Sequence, residues 1–331
     1  MTDRGVPESC RTLQDLGEQG VLALVQRFSP ASVTGDDAAL LQAEAGQAIA
    51  VTTDVLVDGV HFSEATTSAF DVGWRSSAAN LSDLAAMGAM PLGITVGLSL
   101  PGSVAVAWVE QLYQGMTACL QQYDTPIVGG DVTRSAVATI GITAIGQVRF
   151  DRAIRRSTAQ AGDAILVTGM HGASRAGLEL LLHSSQGEPL AADWRSRLIQ
   201  AHQRPIPRLD VIPLLPSTRI AGMDSSDGLA DAVLQICRAS RVGAELQRDR
   251  IPVPPIASWV GVERAIDWAL YGGEDFELVL CLPIEQAEGL QNQLPGAAIV
   301  GKITAGRDVV LVDADDSRQV LRFDRGFQHF A

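Results

Sequence analysis

Lysine is almost missing from this chain of 331 residues. Of its 25 basic residues all but one are arginine, and the exception, Lys302, stands in Gly301-Lys302-Ile303 with neither Ser nor Thr after it and no phosphate-loop pattern before it. A Walker-type nucleotide site is therefore excluded, and a Schiff-base lysine could only be this one residue. Cysteine is sparse as well. Cys10, Cys119, Cys237 and Cys281 lie far apart, without Cys-x-x-Cys spacing or a neighbouring histidine pair, which argues against zinc and disulfide frameworks and for buried, reduced thiols. Aromatic residues make up 5%, too few for base stacking, and 25 basic against 38 acidic residues leave a net charge of −13, which repels nucleic-acid backbones and anionic membranes. No apolar run approaches the roughly 18 residues of a membrane-spanning helix, and the N-terminal stretch to Gly20 is polar. A cytoplasmic protein with neither nucleic-acid nor membrane partners is expected.

The length is about twice the ~100–200 residues of a usual domain, so two domains are expected. A hydrophobic content of 47% supplies core for both. Periodicity predicts a helix over 20–28, a strand over 48–57 closed by the Asp58-Gly59 turn, and a helix over 71–87. A strand over 94–100 follows, then a helix of about twenty residues ending at Tyr123, a short strand running into Gly129-Gly130-Asp131, and an alternating strand over 138–148. Arg149–Gly162, rich in arginine and small residues and without periodicity, is the expected linker. Beyond it strands are predicted over 164–168 and 276–282 and helices over 174–183 and 228–239. Strands alternating with helices in both halves argue for two α/β or α+β domains, 1–150 and 151–331.

The carboxylates are placed unusually. Gly35-Asp36-Asp37 precedes an apolar run and could equally be a turn with Asp at a cap position. Thr52-Thr53-Asp54 ends an apolar strand with three oxygen-bearing side chains, a donor set suited to hard cations such as Mg²⁺. Between Val72 and Met90 the only charged residues are Arg75 and Asp83. Ser76, Asn80 and Asp83 fall on one face of that helix, either as a thin solvent stripe or as the lining of a polar site. Gly129-Gly130-Asp131 and Asp224-Ser225-Ser226-Asp227-Gly228 repeat the strand-end carboxylate, the latter at a helix start where Ser226 or Asp227 could alternatively act as an ordinary cap. Glu274 sits in a Gly-Gly-Glu turn. Two unit charges about 4 Å apart repel by about 1 kcal/mol in water and about 4 kcal/mol at an effective dielectric of 20, so a convergent set would need several cations to hold it. Metal-filled, it would receive polyphosphate, with arginines such as Arg155 and Arg156 in place of a phosphate-loop lysine. Those two arginines could equally be solvated linker.

Six segments carry a resemblance: Gly35-Asp-Asp37, Thr52-Thr-Asp54, Asn80-Leu-Ser-Asp83-Leu-Ala-Ala-Met-Gly-Ala, Gly129-Gly-Asp131, Asp224-Ser-Ser-Asp227-Gly and Tyr271-Gly-Gly-Glu-Asp275. In this order and spacing, from Gly35 to the closing Gly326-Phe327-Gln-His-Phe330, the chain resembles the thiamine-monophosphate kinase family, part of the aminoimidazole ribonucleotide synthetase superfamily. It differs in having Asp224-Ser-Ser-Asp227 where Asp-Leu-Ser-Asp or Asp-Ile-Ser-Asp is common. The resemblance implies ATP-dependent phosphorylation of thiamine monophosphate to thiamine diphosphate, with direct in-line transfer, ATP as co-substrate and several Mg²⁺ ions. Magnesium ligands are implied at Asp37, Thr52, Thr53, Asp54, Asp83, Asp131, Asp224 and Asp227. ATP contacts are implied at Tyr113, Gly130, Asp131, Arg156 and Ser226, and substrate contacts at His61, Glu274 and Phe327. His61 and Phe327, taken by themselves, read as a strand histidine and a core aromatic. No general base is assigned, because the acceptor phosphate is already an anion near neutral pH.

The implied fold has two α/β domains. Residues 1–150 would bind ATP and metal and contribute strands to a homodimer, for which the strand at 138–148 would suit an edge, and 151–331 would complete the ATP and substrate site. Two other readings share the same cradle: a sister synthetase of the purine-synthesis type, and a non-catalytic Mg-ATP-binding regulator.

Overall fold

A computed structural model describes residues 11–30, 38–183 and 190–326. Gly35, Asp36, Asp37, Cys10 and Phe327 lie outside them. The chain divides into two units, Met1–Leu81 with Pro91–Gln147, and Ser82–Met90 with Val148–Ala331. The last turn of one helix thus belongs with the second unit, which a linear boundary at 150/151 does not foresee.

In the first unit α1 spans Leu13–Gln26 and begins earlier than periodicity predicts. A capping box starts it: the Thr12 hydroxyl accepts the Asp15 N–H at 3.3 Å, and the Asp15 carboxylate accepts the Thr12 N–H at 3.0 Å. Strands β1 (Gln47–Val57), β2 (Met90–Leu100), β3 (Ile127–Arg134) and β4 (Thr139–Arg149) form a sheet of order β1-β4-β2-β3. Its parallel pair β2 and β3 is joined by α3 (Val106–Leu120), while α2 (Ala69–Ala86) precedes β2. β4 therefore lies between two partners, and the strand expected to suit an edge is interior; β1 and β3 are the edges. Alternation of apolar and small residues specifies which face of a strand is buried, not its rank in the sheet.

One face of this sheet is closed. Ile140, Ile142 and Ala144 of β4 and Ile94, Val96 and Leu98 of β2 are buried. On the opposite face Ile49, Val51 and Val55 of β1 are exposed at 52%, 63% and 49%, aligned with Thr53, whose hydroxyl meets that of Thr143 at 2.8 Å. Helices α2 and α3 cross at two glycines. A Cβ on Gly73 would stand 1.9 Å from the Leu112 carbonyl oxygen, and one on Gly115 would stand 1.9 Å from that of Phe70.

The second unit holds β5 (Ala164–Val167), β6 (Ala221–Asp224), β7 (Gly243–Gln247), β8 (Leu278–Leu282), β9 (Ala298–Thr304), β10 (Val309–Val312) and β11 (Arg318–Val320). They form one mixed sheet of order β11-β10-β7-β9-β5-β8-β6, in which only β10 and β7 pair in parallel. β5 and β8 are buried at every residue, which explains their unbroken apolar sequences. Helices α6 (Leu229–Ser240) and α8 (Val262–Tyr271) pack their apolar sides on this sheet. A second cluster joins α4 (Ala173–Leu182), α5 (Ala192–Gln203) and α8 through Leu180, Leu198 and Trp268.

Arg149–Gly162 is not a free linker. Ile154 is buried, Thr158 donates its hydroxyl to the Ile220 carbonyl at 3.0 Å, and the Ala159 N–H donates to the Ser240 hydroxyl at 2.8 Å. Three apolar or hydroxyl-bearing residues anchor a stretch whose arginines made it look solvated. Cys119, Cys237 and Cys281 are buried free thiols, and burial pushes the first two up to about 12, so they are inert as nucleophiles. Lys302 ion-pairs with Glu245 at 3.1 Å on the surface. Among the described residues no helix is long and apolar enough to cross a membrane.

Candidate active site

In the first unit the proposed ligands cluster on β1. Successive strand residues face opposite ways, so Thr52 and Asp54 share a face while the Thr53 side chain turns to Thr143. Thr53 can join Thr52 and Asp54 at one ion only through its backbone carbonyl. The Asp54 N–H donates to Asn80 Oδ1 at 3.1 Å, and Asn80 in turn donates to the Ser76 carbonyl at 2.9 Å. Ser76 and Asn80 are fully buried. The polar stripe of α2 is therefore an internal lining, not a solvent face, and its amide fixes the backbone of the carboxylate it serves.

His61 accepts the Val57 N–H on Nδ1 at 3.1 Å, which places its ring proton on Nε2. Tyr113 is buried against Phe28, with ring centroids 5.3 Å apart, and burial pushes its hydroxyl far above the usual range. Asp131 is exposed on β3 beside Gly130, where a Cβ would stand 2.2 Å from the Val96 carbonyl oxygen; only glycine admits this strand approach.

In the second unit Asp224 ends β6 at 2% exposure, a carboxylate accepting the Ser82 hydroxyl at 2.7 Å and the Ser226 hydroxyl at 3.3 Å. Asp83 is half-buried in the adjoining turn of α2, and Asp227 is exposed. The N-cap residue of α6 is Gly228, directly after the Ser226-Asp227 pair. Arg156 is exposed and donates to Gln235 Oε1 at 2.5 Å.

The Gly-Gly-Glu turn is pinned to this loop. The Glu274 N–H donates to the Ser226 carbonyl at 2.7 Å, and the Ser225 N–H donates to the Glu277 carbonyl at 2.8 Å. Glu277 is half-buried, bonded to the Thr168 hydroxyl and the Arg208 guanidinium at 2.5 Å each, and desolvation raises its pKa against that arginine. Asp275 accepts the Gly172 and Ser174 N–H groups at 2.6 and 2.9 Å, capping α4 from a distant loop. Burial pushes its carboxyl up to about 7 against those two donors.

His171, in the loop before α4, is fully buried; its Nδ1 donates to the Gly169 carbonyl at 3.1 Å, and its Nε2 has no hydrogen-bond partner. Desolvation pushes its pKa from 6.5 down to about 4. A folded pKa below the unfolded one gives stability that is complete above pH 6.5 and is lost as pH falls towards 4, on the order of 3 kcal/mol. Replacing His171→Leu is expected to abolish this component. Urea unfolding at pH 7.5 and 4.5 should show a smaller acid loss in the variant than in the parent, and equal losses would refute a neutral buried imidazole.

Thr52, Thr53, Asp54, His61, Tyr113, Gly130 and Asp131 thus belong to the first unit, and Asp83, Arg156, Asp224, Ser226, Asp227 and Glu274 to the second. Among the described residues no three His, Cys, Asp or Glu side chains gather into a metal-sized group. Ser82, Ser174, His202 and Asp275 were assigned no role from sequence. Ser82 and Asp275 had a signal, each lying inside a quoted motif beside a candidate, Asp83 and Glu274; Ser174 and His202 had none.

Comparison with known proteins gives the surrounding family. Residues 35–148 match the family described as AIR synthase related protein, N-terminal domain, and 160–314 match AIR synthase related protein, C-terminal domain. The chain is 54% identical, over 97% of its length and 99% of the relative's, to the thiamine-monophosphate kinase of Synechococcus elongatus. The chain belongs to the thiamine-monophosphate kinase family. The kinase of Escherichia coli K12 is 38% identical over 90% of this chain and 91% of its own. A solved family structure, AaThiL complexed with AMPPCP and TMP, superposes with a TM-score of 0.76 at 31% identity, covering 97% of this chain and 99% of that one. The two-domain α/β architecture expected from sequence is the family's.

Proposed function

We propose that the chain transfers a phosphoryl group from ATP to thiamine monophosphate, giving thiamine diphosphate and ADP. The 54% identity over nearly the full length to a thiamine-monophosphate kinase carries this reading, and the complex of a relative with AMPPCP and TMP supports the pair of substrates. Mg²⁺ is the proposed metal, and the donor chemistry fits it: Thr52, Thr53, Asp54 and Asp131, with Asp37, on the first unit, and Asp83, Asp224 and Asp227 on the second, all offer hard oxygen. When bound, such ions supply charge neutralisation for polyphosphate.

The chain's own part is positioning. Asn80 and Ser82 hold Asp54 and Asp224 in place, and Gly130 lets strands approach so closely that a nucleotide could lie against bare backbone. Tyr113, Asp131, Arg156 and Ser226 are the proposed nucleotide contacts, with the Arg156 guanidinium suited to phosphate. His61, Glu274 and Phe327 are the proposed contacts to thiamine monophosphate. A carboxylate such as Glu274 repels phosphate, so it suits the aminopyrimidine end of that molecule, whose amino group can donate to it. The acceptor phosphate is itself the nucleophile, so orientation and not proton removal is what the protein must supply.

Incubation of the purified protein with ATP, Mg²⁺ and thiamine monophosphate should yield thiamine diphosphate. Aminoimidazole ribonucleotide formation instead would identify a sister synthetase, and Mg-ATP binding without turnover a regulator. Glu274→Ala should chiefly raise the KM for thiamine monophosphate; an effect confined to ATP would contradict its role.

A homodimer is proposed through the open face of the first-unit sheet, where Ile49, Val51 and Val55 present apolar surface. Val51→Lys is expected to convert the dimer to monomer in sedimentation velocity. An unchanged mass would place the interface elsewhere.

A further inference from the structure

Glu274 has left-handed backbone, φ +59°, and a side chain about one-third exposed. Its outer part can meet a ligand, and its inner part has a neighbour. His202 of α5, 4% exposed, places Nδ1 3.7 Å from Glu274 Oε2 and 3.2 Å from the Ser174 hydroxyl. Ser174 is fixed by its N–H to Asp275 Oδ1 at 2.9 Å, and Gly172 by its N–H to Oδ2 at 2.6 Å. Asp275 follows Glu274 in the chain, so the path Glu274, His202, Ser174, Asp275 returns to where it began. Three residues, His202, Ser174 and Asp275, close a path that starts and ends at the partly open carboxylate of Glu274, the Ser174 link to Asp275 running through its backbone N–H.

Such an arrangement is costly unless the carboxylate's position matters. A buried imidazole carries polar nitrogens into the core, and a left-handed non-glycine residue holds strained backbone. We infer that His202 is a positioning residue for Glu274, fixing the carboxylate that contacts thiamine monophosphate, with Ser174 and Asp275 setting the imidazole. The inference rests on the proposed role of Glu274 and adds what orients it. At 3.7 Å the pair is longer than a hydrogen bond, so His202 steers by occupying the space into which the carboxylate would otherwise swing and by the polar nitrogen it turns towards it. Ser174, within hydrogen-bond distance of the same nitrogen, keeps the ring from rotating.

Removal should affect one substrate. His202→Leu is expected to raise the KM for thiamine monophosphate about tenfold with the KM for ATP unchanged. His202→Asn, which restores a polar group at the Nδ1 position, should recover most of the loss, whereas His202→Gln, whose amide reaches the Nε2 position, should not. A purely structural histidine would lower the melting temperature without this split, and a folded His202→Leu enzyme with an unchanged KM for thiamine monophosphate would overturn the inference. Should His202→Leu fail to fold, the Asn and Gln variants decide, equal KM values overturning it. Glu274→Gln is the separate control. If it too leaves that KM unchanged, the contact assigned to Glu274 is what has failed; if it raises the KM while His202 variants do not, the positioning role alone fails.

Discussion

Asp54→Asn and Asp83→Asn should each lower turnover by about two to three orders of magnitude while the protein stays folded. Asparagine keeps the shape of aspartate and removes the negative charge that makes a carboxylate the stronger Mg²⁺ ligand. The bond of Asp54 to Asn80 comes from the backbone N–H, which the substitution leaves in place. Asp83 is half-buried in a helical turn whose backbone bonds likewise remain. Steady-state turnover at saturating ATP, with circular dichroism and melting of the same samples, provides the check. Near-normal activity in both variants would remove these carboxylates from the metal set, and loss of fold would assign them a structural task instead.

Gly73→Ala or Gly115→Ala should destabilise the first unit by about 3 kcal/mol or more. Helix propensity by itself argues the other way, since alanine is better than glycine by about 1 kcal/mol inside a helix. The packing term decides the sign: each new methyl would stand 1.9 Å from a backbone oxygen of the facing helix, and main-chain atoms cannot step aside as a side chain can. The helices would have to separate, exposing buried residues such as Leu112 and Met116. Gly289→Ala in α9 (Ile284–Gln291) is the matched control, because nothing lies within 4 Å of its added Cβ, and it should be neutral or slightly stabilising. Equal chemical-denaturation midpoints for Gly73→Ala and the control would refute the close crossing.

These glycines show where reading by pattern stops. Thr52-Thr53-Asp54 stood out because three oxygen-bearing side chains follow an apolar run, although they lie within β1, which continues to Val57, and do not end it; Asn80 stood out because it lay in a helix nearly without charge. Ser82 bears on Asp224 across 142 positions of sequence, and a serine among small residues carries no periodic mark. Gly73 looks like any helical glycine until a partner helix is set against it. The interior place of β4 was illegible for another reason, that strand order depends on pairing and not on alternation. The Arg149–Gly162 stretch misled by composition, since Ile154 and Ala159 anchor a segment whose arginines suggest solvent. The start of α1 was there to be read in Thr12 and Asp15, a capping box ahead of the apolar period. The approach of His202 to Glu274 needed the third dimension.

Strand β1 has one further consequence. Its odd-numbered residues Ile49, Val51 and Val55 present the apolar surface, and its even-numbered residues Thr52 and Asp54 are the proposed ligands. Because side chains alternate, inserting or deleting one residue between Ala48 and Leu56 would flip every residue on one side of the change, bringing aliphatic and oxygen-bearing groups onto the same face. Substitution can adjust either set separately, but a change of length cannot spare one of them. The history of this segment should therefore be one of replacement at constant length, with insertions displaced to the Asp58-Gly59 turn beyond the strand, where the added residue has no face to choose.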